Sequence, residues 1–123
     1  YATIVEARRK VAAGYRELLT GAPGLNLTQT APDRASADLR FPVILADKSR
    51  RARILAQGKQ YGISGMYPDT VRSISALGPN LIKSPEAPVA RLVADQLVTL
   101  PTHFAITQVD IERISRFLMA ATA

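Results

Sequence analysis

Residues 88–118 constrain the fold most, because they encode a helix, a strand, a turn and a capped helix in unbroken succession. Pro88 suits the first position of a helix, where its missing N–H loses no hydrogen bond. The apolar residues that follow at helical spacing predict one buried stripe, made of Val89, Leu92, Val93 and Leu97. Residues 98–100 are then predicted to form a brief strand. The segment thus specifies two helices joined through a strand.

The last helix has a well-defined start. Thr107 is a good N-cap, and Asp110 follows at the third helical position, where a carboxylate favours the positive end of the helix. Ile106 and Ile111 occupy the two staple positions around the cap. The core face of the helix is predicted to consist of Ile111, Ile114 and Leu118.

The first helix is predicted from a stripe that covers about five turns. Gly21 is expected to end it as a left-handed cap, and the Pro-Gly pair at 23–24 prevents its continuation. The apolar residues of the stripe are Ile4, Val5, Val11, Ala12, Tyr15, Leu18 and Leu19.

The middle of the chain alternates strands and helices. Residues 28–38 are polar and turn-rich and predict an exposed loop, whereas residues 39–46 predict a strand. Pro42 lacks an N–H, so we expect this strand to lie at an edge of the sheet or to carry a bulge. Residues 49–61 predict a second helix that ends near Gly62, with apolar side chains spaced among charged ones at Ala52, Leu55, Ala56 and Tyr61.

A short strand is predicted at 63–67, and the interval 69–87 is expected to be an irregular connection. The complete pattern predicts an α+β fold, a small sheet with helices packed mainly on one face. At 123 residues the chain has the size of one domain, and it contains no apolar run long enough to span a bilayer.

The composition excludes several chemistries. The chain has no Cys and one His, so disulfides, thiolate ligands, a Cys nucleophile and zinc sites with two imidazoles are ruled out. We expect no metal site and a soluble, cytoplasmic protein. The four lysines occupy predicted solvent faces, helix ends or a polar loop, and none has the desolvated setting of an imine-forming lysine: Lys10, Lys48, Lys59 and Lys83.

The net charge is +6, but the basic residues are scattered. One tight group comprises Lys48, Arg50, Arg51 and Arg53. It is interpreted as a solvated helix face, as a rim that faces phosphate, or as a nucleic-acid contact. The last interpretation defines an alternative function, in which a stand-alone basic α+β module binds nucleic acid or an acidic polymer.

Two residues are candidates for ligand contact. His103, the single His, is either a structural turn residue or the lining of a ligand site. Tyr67, held by Pro68 at a strand end, either packs or offers its hydroxyl to a ligand. No catalytic constellation is complete within the chain.

Four motifs follow one another along the chain: residues 4–9 with Tyr15-Arg-Glu-Leu-Leu19, Tyr61-Gly-Ile-Ser-Gly-Met-Tyr-Pro68, Pro88-Val-Ala-x-x-x-Ala94, and Thr99-Leu-Pro-Thr-His103 with Val109-Asp-Ile111. In this order they resemble the C-terminal small domain of the DegT/DnrJ/StrS sugar aminotransferases. The resemblance covers almost the whole chain.

The resemblance implies the small-domain fold of aspartate-aminotransferase-type enzymes that depend on pyridoxal phosphate (PLP). Such enzymes transfer an amino group, usually from glutamate, to a nucleotide-linked keto sugar. The resemblance also implies a missing N-terminal large domain that carries the PLP lysine, and a homodimeric parent. The fragment alone would bind no cofactor, contain no catalytic residue and be inactive.

By motif position, Tyr67 and His103 are expected to face the substrate cleft, with Arg72 as a further contact for an anionic group. Many family members have a His a few residues after the Tyr-Pro step, whereas this chain has Asp69 to Ile74 there, so the resemblance does not define the sugar. The pattern is closest to the branch associated with polysaccharide biosynthesis. Residues 1–21 are then the helix at the domain junction and residues 39–123 the α+β core.

Overall fold

The computed structural model describes residues 1–66, 69–73 and 87–123, with only the backbone of Arg72. In these ranges the helices and strands are α1 (Ala2–Leu19), β1 (Leu25–Leu27), β2 (Arg40–Leu45), α2 (Arg51–Gly58), α3 (Pro88–Gln96), β3 (Leu97–Pro101) and α4 (Gln108–Thr122). Short 3₁₀ turns lie at Lys48–Arg50, Lys59–Tyr61 and Val71–Ser73. No helix in the described ranges is long and apolar enough to cross a membrane.

The three strands form an antiparallel sheet in the order β1-β2-β3. Ser64 adds a single bridge to Thr99 at the free edge of β3, with both backbone hydrogen bonds formed. Among the described residues this bridge is all that remains of the strand predicted at 63–67. The short β1 was not predicted from the sequence, because three residues after a turn are too few to show a period.

The expectation that Pro42 would place its strand at an edge is wrong, since β2 is the central strand. Pro42 lies opposite Thr99, whose N–H and C=O both bond to Ser64 and therefore point away from β2. The nitrogen of Pro42 must then point away from β3 as well. On that side β1 has already ended at the pair Leu27–Val43, so the missing N–H interrupts no ladder.

Three helices cover one face of the sheet, as the α+β prediction requires. Phe41, Val43 and Leu45 point into this layer from alternate positions of β2. The helices contribute Val11, Ala12, Tyr15 and Leu19 from α1, Ile54 from α2, and Ile111, Ile114 and Leu118 from α4. The sequence-predicted core face of α4 is thereby confirmed.

The predicted start of α4 is also confirmed. The Thr107 side chain accepts from the N–H of Asp110 at 3.2 Å, and the Asp110 carboxylate accepts from the N–H of Thr107 at 2.9 Å. These two bonds form a complete capping box. The Thr107 N–H, followed by its hydroxyl, lowers the pKa of Asp110.

The first two helices differ from prediction in the faces they bury. Gly21 does adopt the left-handed conformation that ends α1, with φ of 77°, but Ile4 remains 49% exposed. In α2 the buried positions are Ile54 and Gly58, whereas the predicted Ala52 and Ala56 are exposed. Position 58 requires a glycine, because a Cβ there would lie 2.9 Å from the side chain of Ile63.

The stripe predicted for α3 is wrong in its first half. Val89 is 74% exposed and Leu92 is 47% exposed, whereas Ala94 and Leu97 are buried. Because α3 passes into β3 without a loop, its last turn is the part held against the sheet. Of the predicted irregular connection at 69–87, residues 74–86 lie outside the described ranges.

Candidate functional site

The segment that leads to Tyr67 is anchored to the sheet. Ser64 pairs with Thr99, and the Ser64 hydroxyl accepts from the N–H of Met66 at 3.1 Å. Met66 has a φ of 57°, so the chain turns sharply there. Tyr67 and Pro68 lie outside the described residues, and the placement of Tyr67 in a substrate cleft stays a prediction.

The segment that follows Pro68 is anchored to α3. Arg91 contacts Asp69 at 2.8 Å, the Ser73 hydroxyl at 2.6 Å and the Thr70 hydroxyl at 3.3 Å. The Thr70 N–H, the Ser73 hydroxyl and Arg91 together lower the pKa of Asp69. The backbone of Arg72 lies in the 3₁₀ turn that these contacts hold, while its side chain lies outside the description.

His103 lies exposed in the turn between β3 and α4, and its carbonyl accepts from the N–H of Ile106 at 3.0 Å. It lines a groove of about 320 Å³ together with Tyr61, Asp110 and Arg113. The His103 groove therefore combines an imidazole, a carboxylate and a guanidinium, groups that can orient a polar ligand. The adjoining Phe104 is 81% exposed.

Sequence reasoning missed Arg40, which crosses the sheet face opposite the helices. Its Nε donates to the Thr99 hydroxyl at 2.7 Å, and its Nη2 donates to the Thr99 carbonyl at 3.0 Å and to the Gly62 carbonyl. Burial lowers the pKa of Arg40, although the nearby Tyr15 opposes that shift. No local pattern identifies this residue, because its partners lie 22 and 59 positions away.

The basic group at 48–53 is largely committed to structural contacts. Arg50 pairs with Asp47 at 3.2 Å and donates to the Ala123 oxygen at 2.7 Å. Arg53 donates to the carbonyl of Ala121, and Arg51 donates to that of Leu97. These arginines satisfy carbonyl groups at the end of α4 and at the start of β3, and this use favours the structural interpretation of the group over a nucleic-acid contact.

Comparison with solved structures defines the class of the fold. The chain superimposes on S. venezuelae DesV, in a structure with a ketimine intermediate, at a TM-score of 0.85 and 24% identity, covering 99% of this chain and 33% of that one. Helicobacter pylori PseC, an aminotransferase involved in pseudoaminic acid biosynthesis, matches at 0.82 and 14% identity over 98% and 33%. DesI, solved in the presence of its TDP-sugar product, matches at 0.81 and 21% identity over 99% and 32%. The fold is that of a part of these aminotransferases.

The sequence establishes membership more specifically. The pattern of the DegT/DnrJ/EryC1/StrS aminotransferase family matches residues 2–119, and the chain belongs to this family. No curated protein matches it. The chain spans about a third of the length of the solved structures named above. The resemblance drawn from the sequence motifs is thus confirmed.

The family is PLP-dependent, but the described residues do not fit a PLP site. An imine-forming lysine needs a desolvated amine, whereas Lys10, Lys48 and Lys59 are all exposed. Lys83 lies outside the described ranges. Within those ranges no cluster of His, Asp or Glu could hold a metal ion either.

Proposed function

We propose that the chain is the small, C-terminal domain of a PLP-dependent aminotransferase that acts on nucleotide-linked keto sugars in polysaccharide biosynthesis. The observation that carries this proposal is the family match over residues 2–119. Support for the sugar comes from DesI, whose structure contains a TDP-sugar product. Glutamate is the proposed amino donor, and the parent is proposed to be a cytoplasmic homodimer.

In this proposal the cofactor supplies the electron sink, and the large domain supplies the lysine that holds it. Residues 1–123 alone are therefore inactive. Residues 1–21 are assigned to the domain junction, because the first turns of α1 leave Tyr1 and Ile4 outside the core. Residues 39–123 form the α+β core, to which α1 adds its second half.

The substrate-facing part of the domain is proposed to comprise Tyr67, Arg72 and His103. The described residues on either side of Tyr67 are anchored, Ser64 to Thr99 and Asp69 to Arg91, which supports this proposal. His103 lies in a turn that the Ile106 N–H and the α4 cap stabilise, and its side chain is accessible to a ligand. Their roles are to bind and orient the sugar.

Kinetics of the full protein test the three contacts. Tyr67→Phe, Arg72→Gln and His103→Gln should each raise KM or lower kcat for the keto sugar about tenfold, the value of one lost hydrogen bond to a charged or polar group. Arg116→Gln is the matched control for Arg72→Gln, because Arg116 is exposed on α4. Wild-type kinetics in all three variants would contradict the proposal that these residues contact the substrate.

A further inference from the structure

A second groove of about 380 Å³ lies between α1, the 28–38 loop and β2. Its volume falls within the usual range of small-molecule sites, about 300 to 1,000 Å³. Two arginines line it, Arg16 from α1 and Arg40 from β2. It shares no described lining residue with the His103 groove, and we call it the arginine groove.

Both guanidinium groups are held in place by the protein while keeping N–H groups available. Arg40 uses Nε and Nη2 for its bonds to Thr99 and Gly62. Arg16 lies over the Phe41 ring at 5.4 Å and donates Nη1 to the Thr28 carbonyl at 3.1 Å. Within the described ranges, Nη1 of Arg40 and both Nε and Nη2 of Arg16 have no protein partner.

The charge in the arginine groove favours an anion. The two guanidinium groups face one carboxylate, that of Asp38, among the charged side chains that line it. Fixed guanidinium groups bind phosphate and carboxylate oxygens through paired, charge-assisted hydrogen bonds. Since the two arginines are already ordered by Thr28, Phe41 and Thr99, a ligand would not bear the entropy of fixing them.

The proposed reaction has two anionic substrates, the nucleotide-linked sugar and glutamate. The apolar residues that line the groove favour the first of them. Pro42, Met66 and Leu97 contribute apolar surface beside the arginines. A nucleoside diphosphate has a base and a ribose to place on such surface, whereas a small dicarboxylate has little to bury there. Met66 immediately precedes Tyr67, so the groove reaches the segment that is proposed to face the sugar.

From these contacts we infer that the arginine groove binds the diphosphate of the nucleotide-linked sugar, with Arg16 and Arg40 on its oxygens. This inference rests on the proposed function for the identity of the ligand. It assigns the nucleotide to the groove between α1, the 28–38 loop and β2, and the sugar to the segment that follows Met66.

Calorimetric titration of the full protein with pyrophosphate, UDP and TDP tests this inference. Arg16→Gln should weaken binding of all three probes about tenfold, because it removes a charge-assisted contact. Binding to the wild type should also fall with added salt. Arg9→Gln is the matched control, since Arg9 is exposed two turns earlier on α1 and donates to the Ser36 carbonyl at 2.8 Å without lining the groove.

The inference is overturned if Arg16→Gln binds the probes as the wild type does, or if Arg9→Gln weakens them equally. Arg40→Lys provides a second variant. It keeps the positive charge but loses the paired N–H donors of the guanidinium group, and it should also weaken binding. Succinate, a dicarboxylate that cannot donate an amino group, serves as a further probe, and a weakening in Arg16→Gln that is confined to succinate would contradict the assignment to diphosphate. Failure of this inference can be distinguished from failure of the proposed function, because probe binding is measured without any amino transfer.

Discussion

At the scale of single residues, Tyr15 connects the helical layer to the sheet. It is fully buried, its ring lies 5.5 Å from that of Phe41, and its hydroxyl donates to the Pro101 carbonyl at 3.0 Å. Burial, reinforced by the charge of Asp110, raises the pKa of Tyr15, so the hydroxyl stays protonated and remains a donor at physiological pH.

Tyr15→Phe should therefore destabilise the protein by about 1 to 2 kcal/mol, because the buried Pro101 carbonyl loses its side-chain donor while the ring still fills its site. Denaturant unfolding of the two proteins measures this difference. The control is Tyr1→Phe, at a position 96% exposed, which should leave the unfolding midpoint unchanged. Equal midpoints for Tyr15→Phe and the wild type would show that this bond contributes nothing.

Single residues also show which roles could be predicted from the sequence and which could not. The roles of Thr107 and Asp110 could be predicted because a capping box occupies four consecutive positions. Arg40 could not, since its role depends on Thr99 and Gly62, which only the folded sheet brings to it. The arginine groove was not predicted for the same reason. Arg16 and Arg40 line one groove only in the folded chain, beside a loop that has no periodic pattern.

At the scale of elements, the stability of α4 depends on the capping box at its N-terminus. The pKa of Asp110 is lowered in the folded protein, first by the Thr107 N–H and then by the Thr107 hydroxyl. A lowered folded pKa means that the stabilisation is fully present above the ordinary pKa of an Asp and is lost as pH falls through the folded value. The cap therefore stabilises α4 at neutral pH and weakens in acid.

Asp110→Asn should lower stability at neutral pH and flatten its decline in the acid range, because the titrating carboxylate is gone. Thermal unfolding of variant and wild type at a series of pH values between about 2 and 7 measures both effects. Asp33→Asn, in the exposed 28–38 loop, is the matched control and should follow the wild type. An undiminished acid dependence in Asp110→Asn would contradict the role of the cap.

The clamp between α3 and the 69–73 segment is a second element-scale feature. Arg91 is the shared donor to Asp69, Thr70 and Ser73. Arg91→Gln should release the segment, increase its amide hydrogen exchange and raise KM for the sugar more than it lowers kcat. Arg116→Gln, exposed on α4, should change neither quantity. Unchanged exchange at 69–73 in Arg91→Gln would show that the segment is held by other contacts.

Most element positions could be predicted because their boundaries are local: Pro88 at a helix start, and Gly21 and Gly62 with positive φ at helix ends. The buried faces were less predictable. Val89 and Leu92 have the spacing of a core stripe, yet both are exposed, because tertiary contact holds only the last turn of α3 against the sheet. The central position of β2 likewise depended on pairing, which the sequence does not encode locally.

At the scale of the whole molecule, the chain is a family member that spans about a third of the related structures. The net charge of +6 alone would suit a module that binds nucleic acid. The structure instead shows Arg50 and Arg53 bound to the end of α4, and Arg16 and Arg40 in a groove with apolar walls. Positive charge is thus used for packing and, as we infer, for a diphosphate.

The measurement that tests the central claim most directly follows the amino group itself. The full protein is incubated with PLP, ¹⁵N-glutamate and a UDP- or TDP-linked keto sugar, and the sugar product is analysed by mass spectrometry. The account predicts that ¹⁵N appears in the sugar, and that His103→Gln slows its appearance while Arg116→Gln does not. A nucleotide sugar that stays unlabelled while glutamate passes its nitrogen to a different acceptor would contradict it.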